Sequence, residues 1–380
     1  MPFDLLKLFE SILFFSALYY AGSLVYFIIG LSKEENSPNN IDTPPVSVII
    51  AVRNGEKNIN RLLNSLKNQT YNGEMEFIIV DDQSTDKTVN IIQKFTQMDP
   101  RFKYLSSKGG DQKLTYKKRA LDSGIKNAQF EHLLFTDIDC IIQYLWVENM
   151  MLSFTDETDY LIGYSEAVDA TTSASKFQKA DFFMLLSAAR GMVNNKSAWA
   201  CTGQNQGYRK SLYSAVGGFS QITEQLQGDD SLFLLLCRKA KNINVNFANS
   251  PGSFVISRPE LTWIAFLKQR IRWAGDSKVF WKFNLPFYFT SIATFILNMG
   301  IIVMPLIYGF TIFLDSWYMN ILLIKFIAEY ILIIMGGKAF HRQFSLINFL
   351  QWYIIQPLYV AVVSVGSILN VNRSWQGRQS

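Results

Sequence analysis

The strongest constraint on this chain is where its charges are missing. Residues 11–31 (SILFFSALYYAGSLVYFIIGL) contain no charged side chain, and three more apolar stretches follow late in the chain, at 287–313, 317–335 and 344–369. A bilayer core of roughly 30 Å is crossed by about 20 apolar helical residues, so stretches of this kind are long enough to span one. Everything between residues 32 and 282 instead alternates apolar runs with charges and turns. The pattern predicts one soluble domain between two membrane regions.

A secretory signal would have a shorter apolar run and a small-residue cleavage site. This run is long and aromatic, with Lys33, Glu34 and Glu35 after it, so residues 1–32 read as an N-terminal transmembrane anchor. The 49% hydrophobic content and 30 Phe fit a chain partly in lipid. In the second late stretch Lys325 and Glu329 lie four apart on one helical face and can pair inside a bundle, in a structural or a functional role. The basic connector 338–342 (KAFHR) marks a cytoplasmic loop by the positive-inside bias, and Arg373 and Arg378 mark the same side. Three full crossings would contradict that. Two or three C-terminal membrane helices are therefore expected over 285–370, one of them re-entrant or interfacial, with a polar tail at 371–380.

Cys140, Cys201 and Cys237 form neither an even framework nor a zinc-ligand spacing, which fits a reducing compartment and a cytoplasmic catalytic domain. With only His132 and His341, acid–base chemistry falls to carboxylates. A net charge of +5 without a basic tract interleaved with aromatics suits anionic headgroups or phosphorylated substrates rather than nucleic acid.

The polar, proline-bearing residues 33–45 read as a linker. After them VSVIIAV at 46–52 is a nearly continuous β-branched run, as in a parallel strand buried on both faces. Ile59, Leu62, Leu63 and Leu66 then recur at helical spacing. MEFIIV at 75–80 reads as a second strand, followed by a helical pattern through Val89, Ile91, Ile92 and Phe95, and HLLF at 132–135 as a later strand. Repeated strand–helix units predict a parallel sheet with helices on both faces and ligands beyond the carboxyl ends of its strands. Two acidic clusters, Asp81-Asp82 and Asp137-Ile-Asp139, fall at such ends. Neither G-x-G-x-x-G nor a P-loop follows these strands, which excludes dinucleotide and P-loop readings.

Asp137 and Asp139 offer two hard oxygen donors that suit Mg²⁺ or Mn²⁺ completed by phosphate oxygens and water; a solvated turn is the plain alternative. Asp81 and Asp82 can accept hydrogen bonds from a base and ribose, or make an Asx turn and helix cap with Ser84, Thr85 and Asp86. Asp229 and Asp230, after Gly228 and before an apolar helical run, can supply a general base or an N-cap. Residues 269–273 (QRIRW) lie among Trp263, Phe266, Leu267, Phe280 and Trp281. They read as an interfacial amphipathic helix, in which Arg272 can pair with phosphate and Trp273 can wall an acceptor pocket.

Taken in order, VSVIIAVRNGEKNINRLLNSL, IIVDDQSTDKT, FTDIDC, Gly228-Asp229-Asp230 and QRIRW resemble the family 2 glycosyltransferases, in particular membrane-attached members of the type that includes ceramide glucosyltransferases and polysaccharide synthases. The resemblance covers about residues 46–275. It implies a GT-A nucleotide-diphospho-sugar transferase-like α/β domain over 46–258 and a Q-x-x-R-W interfacial segment over 259–284. It further implies that Ala51, Arg53, Glu56, Asp81, Asp82, Lys117 and Asp137 serve the donor, that Asp139 with Asp137 binds the divalent metal, Mn or Mg, and that Asp230 beside Asp229 is the base. Gln204, Asn205, Gln269, Arg272 and Trp273 fall to the acceptor and diphosphate. Two departures stand out: Tyr116 replaces the glycine of a frequent G-K-x-x-A-L stretch, though Lys117 is kept, and the acidic pair is Asp-Asp rather than Glu-Asp.

The implied reaction is an in-line, inverting displacement in which an acceptor hydroxyl, deprotonated by Asp230, attacks the anomeric carbon of a nucleotide-sugar donor, with UDP the commonest nucleotide of the family and GDP also occurring. The aromatic segment near Trp263 points to a lipid or lipid-linked acceptor at headgroup level. A processive polysaccharide synthase would need more membrane helices. A silent scaffold of the same fold would have lost one of Asp82, Asp139, Asp230 or Arg272, and a nucleotidyltransferase would leave QRIRW unexplained.

Overall fold

A computed structural model of the chain describes residues 3–33, 42–168, 170–225, 227–369, 374–375 and 378–379. Most of the expected linker 33–45 and of the tail 371–380, Arg373 included, lies outside the described residues. In chain order the elements are α1 (Phe3–Leu31), β1 (Val46–Val52), α2 (Ile59–Lys67), β2 (Met75–Asp81), α3 (Thr88–Met98), β3 (Phe102–Ser106), α4 (Tyr116–Asn127), β4 (His132–Phe135), β5 (Ile141–Ile142) and α5 (Trp146–Ser153). There follow β6 (Tyr160–Gly163), β7 (Ser165–Ala167), α6 (Ser173–Asn194), β8 (Gln206–Arg209), α7 (Lys210–Ala215), α8 (Ser231–Ala240), β9 (Val245–Ala248) and β10 (Val255–Ser257). The last long helices are α9 (Trp263–Ala274), α10 (Leu285–Tyr308), α11 (Ser316–Phe340) and α12 (Leu346–Ile368).

The chain divides into a sheet unit, 34–169 with 196–258 and 373–380, and a helical unit, 1–33 with 170–195 and 259–372. The catalytic domain expected over 46–258 is therefore interrupted, because α6 belongs with the long helices. Its own packing explains this: a Cβ at Gly30 of α1 would overlap the Gly191 carbonyl of α6, and one at Gly191 would overlap that of Phe27, so paired glycines let the two backbones touch.

The sheet unit is built on a seven-stranded sheet of order β3-β2-β1-β4-β8-β6-β9. The first four neighbours are parallel, as expected for β-branched runs covered on both faces. β8, however, runs antiparallel to both β4 and β6, so the sheet is mixed and not wholly parallel. Every residue of β2 and β4 is buried, and of β1 only Ala51 is partly open. Ile59, Leu62, Leu63 and Leu66 of α2 are fully buried, the face their spacing predicts. α4 lies flat on β1 because Gly124 has no Cβ; one would stand 2.5 Å from Ile49 Cγ2.

In the helical unit four helices are long and apolar enough to cross a membrane, Leu6–Leu31, Leu285–Leu314, Ser316–Phe340 and Leu346–Ile368. α1 and α10 run antiparallel, with Tyr19 Oη donating to the Pro286 carbonyl at 3.3 Å and Tyr308 Oη to Glu10 Oε1 at 2.6 Å. Lys325 and Glu329 do pair, at 2.8 Å and with both side chains buried. Tyr20 of α1 donates to the same carboxylate at 2.5 Å, and the Lys325 ammonium sits 4.4 Å from the Tyr353 ring of α12, so the ion pair ties three helices together. The second half of α12 packs on α9, Tyr359 stacking on Phe266 at 5.4 Å.

Candidate active site

The parallel strands deliver their carboxyl ends to one edge of the sheet unit, and α4 and α8 begin there. Lys117, in the first turn of α4, places its Nζ 2.8 Å from Asp137 Oδ1 and 2.8 Å from Asp229 Oδ2, bridging the loop after β4 to the turn before α8. Burial works against the ammonium, but the two carboxylates together outweigh it and hold Lys117 well above its ordinary range. Tyr116 makes this placement by taking φ +52°. That is the left-handed conformation a glycine adopts freely, so a bulky residue bears the strain here, on the order of 1–2 kcal/mol.

Gly228 has φ +100°, again a glycine conformation, and turns the chain so that Asp229 and Asp230 follow in quick succession. The cap reading of Asp230 is met. It is the N-cap of α8, with Oδ1 accepting from the Ser231 N–H at 2.6 Å, while Oδ2 accepts from the Gly203 N–H at 3.2 Å. Burial and the adjacent Asp229 push its carboxyl up to about 6, against the pull of Lys117. Asp137 is raised too, by burial and by the charges of Asp139 and Asp229. The loop bearing Gly203 closes on this group: a Cβ there would lie 3.1 Å from Lys117 Nζ and 3.3 Å from Asp229 Oδ2. Gly203 opens the stretch 203–209 that the resemblance places on the acceptor side.

Lys117 thus pairs with two carboxylates, Asp137 and Asp229, and pulls on a third, Asp230. Asp139 is exposed, and the contact its side chain makes is a long one, 4.0 Å from the Cys140 thiol, so its oxygens face solvent. Two carboxylates without imidazole or thiolate beside them form a hard donor set that fits Mg²⁺ or Mn²⁺ with water and phosphate as further ligands.

The loops after β1 and β2 are laced together. Arg53 donates to the Asp82 and Gln83 carbonyls at 2.8 and 3.0 Å, Asn54 exchanges hydrogen bonds with Ser84 and Thr85, and Glu56 accepts from the Lys87 N–H at 3.3 Å. Asp81 makes the Asx turn, accepting from the Ser84 N–H at 3.2 Å. Asp82 is fully buried, with Oδ1 3.7 Å from the Arg119 guanidinium, a residue the motif comparison passed over. Ala51 opens the end of β1 beside them.

Gln204 and Asn205 part company. Gln204 keeps a buried Oε1 without a hydrogen-bond partner among the described residues. Asn205 is fully buried and fully used: Oδ1 accepts from Trp146 Nε1 at 3.1 Å, and Nδ2 donates to the Tyr164 and Ser253 carbonyls at 2.8 Å each. The expected acceptor contact from Asn205 is therefore corrected to a structural pin.

Gln269, Arg272 and Trp273 belong to the helical unit, on α9. Gln269 Oε1 lies 3.5 Å from Gln178 Nε2 of α6, and Arg272 and Trp273 are half-buried. The buried charge of the motif is Arg270, which the pattern did not single out: its guanidinium lies 4.4 Å from the Trp273 ring and 5.1 Å from the Phe266 ring, and pairs with Asp181 at 3.3 Å.

A parallel sheet edge with an acidic pair after β4, a second before α8 and a bridging lysine defines a class, and comparison with known proteins agrees with it. Residues 47–217 match the model described as glycosyl transferase family 2, and residues 149–337 match that of glycosyl transferase family group 2. The chain belongs to glycosyltransferase family 2. It is 36% identical over 122 residues to EpsH of Bacillus subtilis (32% of this chain, 34% of EpsH), and 24% identical over 271 residues to YdaM of the same organism (68% of this chain, 62% of YdaM), both named as glycosyltransferases. The chain thus spans between 34% and 62% of the length of these relatives. In fold it is similar to the mannosyltransferase PcManGT from Pyrobaculum calidifontis in complex with GDP-Man and Mn²⁺, with a TM-score of 0.63 over 96% of this chain and 99% of that one at 15% identity.

Proposed function

We propose that this chain is a membrane-attached inverting glycosyltransferase that moves a sugar from a nucleotide-diphosphate donor to the hydroxyl of a lipid or lipid-linked acceptor. The observation that carries the reading is Asp230, a carboxylate held by two backbone N–H groups beside Asp229, with its pKa raised to about 6. A base titrating there is ionised at neutral pH yet basic enough to take a proton from an attacking hydroxyl. Ala51, Arg53, Glu56, Asp81 and Asp82 belong to the laced loops that would floor the nucleotide, chiefly through backbone shape.

Asp137 and Asp139 would hold the divalent ion, which when bound supplies charge neutralisation for a departing diphosphate. Lys117 keeps Asp137 and Asp229 apart from one another's charge and fixes the geometry into which Asp230 points. Gln204 is the polar group free to meet an acceptor, and Gln269, Arg272 and Trp273 of α9 would serve the diphosphate and acceptor. The Mn²⁺ and GDP-Man of PcManGT support a metal and a nucleotide sugar in this fold. The apolar helices support membrane attachment, and the free cysteines with the basic connector 338–342 support a cytoplasmic catalytic unit.

The test is donor hydrolysis and transfer by the detergent-purified protein against a panel of UDP- and GDP-sugars, with Mn²⁺ or Mg²⁺ and then with chelator. Metal-dependent release of a nucleoside diphosphate from one donor is the expected result. Release unaffected by chelator rejects the metal assignment, and silence across the panel from folded protein with lipid extract present favours the scaffold.

A further inference from the structure

A second polar site lies in the helical unit, at the carboxyl end of α11, and uses none of the residues assigned above. His341 ends that helix in the left-handed region, φ 53° and ψ 44°. The reversal lets the Arg342 N–H donate to the Gly337 carbonyl at 2.8 Å, so the last turn's acceptor is already used. Gly337 is required, since a Cβ would stand 2.7 Å from the Arg342 carbonyl oxygen. This turn borders an open depression of about 540 Å³ at the surface of the helical unit. Its lining combines the basic side chains Lys338 and Arg342 with His341, Gln343 and the apolar Ile334 and Phe344, and includes no carboxylate.

The depression is preformed on its inner side as well. Phe344 packs on Phe183 of α6 at 4.5 Å, and Arg190 of α6 donates to the Ala339 carbonyl with its guanidinium 5.2 Å from the Phe340 ring. A further positive charge thus backs the site. The helix dipole alone would repel an anion at this end, but its free carbonyls are capped and the local cations outnumber it. We propose that this depression binds an anionic glycerophospholipid, its phosphate between Lys338 and Arg342 and an acyl chain along Ile334 and Phe344. The commitment to a lipid rests on the membrane reading above: the apolar span ends at Phe340, which sets the basic side chains at headgroup depth and Ile334 inside the hydrocarbon.

The experiment uses the full chain in a neutral detergent, read by native mass spectrometry and thermal melting with added phosphatidylglycerol, phosphatidylcholine or inorganic phosphate. Phosphatidylglycerol is expected to give retained adducts and a melting temperature raised by about 2–4 °C or more, phosphatidylcholine neither. Lys338→Gln, an exposed substitution that leaves the turn intact, is expected to cut adduct occupancy roughly tenfold, a loss of one charge-assisted contact. Lys338→Gln/Arg342→Gln should abolish the adducts, while Lys67→Gln on the sheet unit changes nothing. Equal effects of the two lipids, or unchanged adducts in Lys338→Gln, overturn the proposal. An equal response to inorganic phosphate overturns the lipid assignment and leaves a phosphate site. Recovery of the chain from cell supernatant without detergent is a separate result, and it would remove the membrane reading itself.

Discussion

Replacing Asp230 by Asn separates its two roles, because Asn and Asp cap a helix about equally well. If the residue only caps α8, turnover should barely change. If it is the base, turnover should fall by about 10² to 10⁴ with donor binding retained. Stability supplies an independent readout whose sign is fixed by the site. A carboxyl raised from 3.8 to about 6 in the folded protein gains stability from its proton below pH 4 and loses that gain as pH rises through 6. The shift of roughly two units corresponds to about 3 kcal/mol as an upper bound, since Asp229 shares the effect. The Asn amide carries no such penalty but cannot accept from the Gly203 N–H through Nδ2, giving back about 1 kcal/mol. Asp230→Asn is therefore expected to be more stable than its parent by about 1–2 kcal/mol above pH 6 in chelator, and to lose that advantage below pH 4. Denaturant melts at pH 4, 5, 6 and 8, with transfer assays on the same preparations, measure both. A variant that is less stable than its parent at pH 8, or that keeps most of its turnover, refutes the argument.

Three further outcomes follow from the same geometry. Lys117→Met leaves Asp137 and Asp229 facing each other and should lower stability by about 2–3 kcal/mol in chelator, discounted for partial exposure; Mn²⁺ should then raise the melting temperature of the variant more than that of the parent. Gly203→Ala puts a methyl against Lys117 Nζ and should cut turnover at least about tenfold with little change in melting, as misplacement near the reacting groups does; unchanged turnover would show that the loop yields freely. Asn205→Ala strands Trp146 Nε1 and the Tyr164 and Ser253 carbonyls, so about 2–4 kcal/mol of stability should be lost. Active Asn205→Ala protein should keep its parent's KM for acceptor, and a raised KM in a stable variant would return Asn205 to the acceptor site.

The strands that carry the site were legible because burial on both faces writes a continuous apolar run. β1 and β4 begin and end where that run does, at Val46–Val52 and His132–Phe135. β8 left no such trace, since QGYR at 206–209 is short and has no period, and its antiparallel direction depends on partners far away in the chain. α6 read as part of the soluble domain because Lys176, Lys179, Asp181 and Arg190 give it a polar look; Asp181 in fact pairs with Arg270 of α9 and Arg190 bonds to the end of α11. Within the site, Asp137, Asp229 and Asp230 were singled out by residue type and spacing, as was Lys117 by its place in a motif. What sequence could not carry was the use each polar group had already found, as with Asn205, or a backbone angle such as that of Tyr116.

The interruption of the sheet unit by α6 also governs how this protein can be dissected. The chain leaves that unit after residue 169, returns at 196, leaves again after 258 and returns at 373. A stop after residue 258 would therefore keep the seven-stranded sheet but would also carry α6 stripped of the helices that cover Phe183 and Ser187. During synthesis the same exposure is obligatory: α6 leaves the ribosome well before α11 and α12 exist, with only α1 available to shield it. Neither unit is one continuous stretch of chain, so isolating the sheet unit's 34–258 portion requires removing 170–195 from within it, not a single cut.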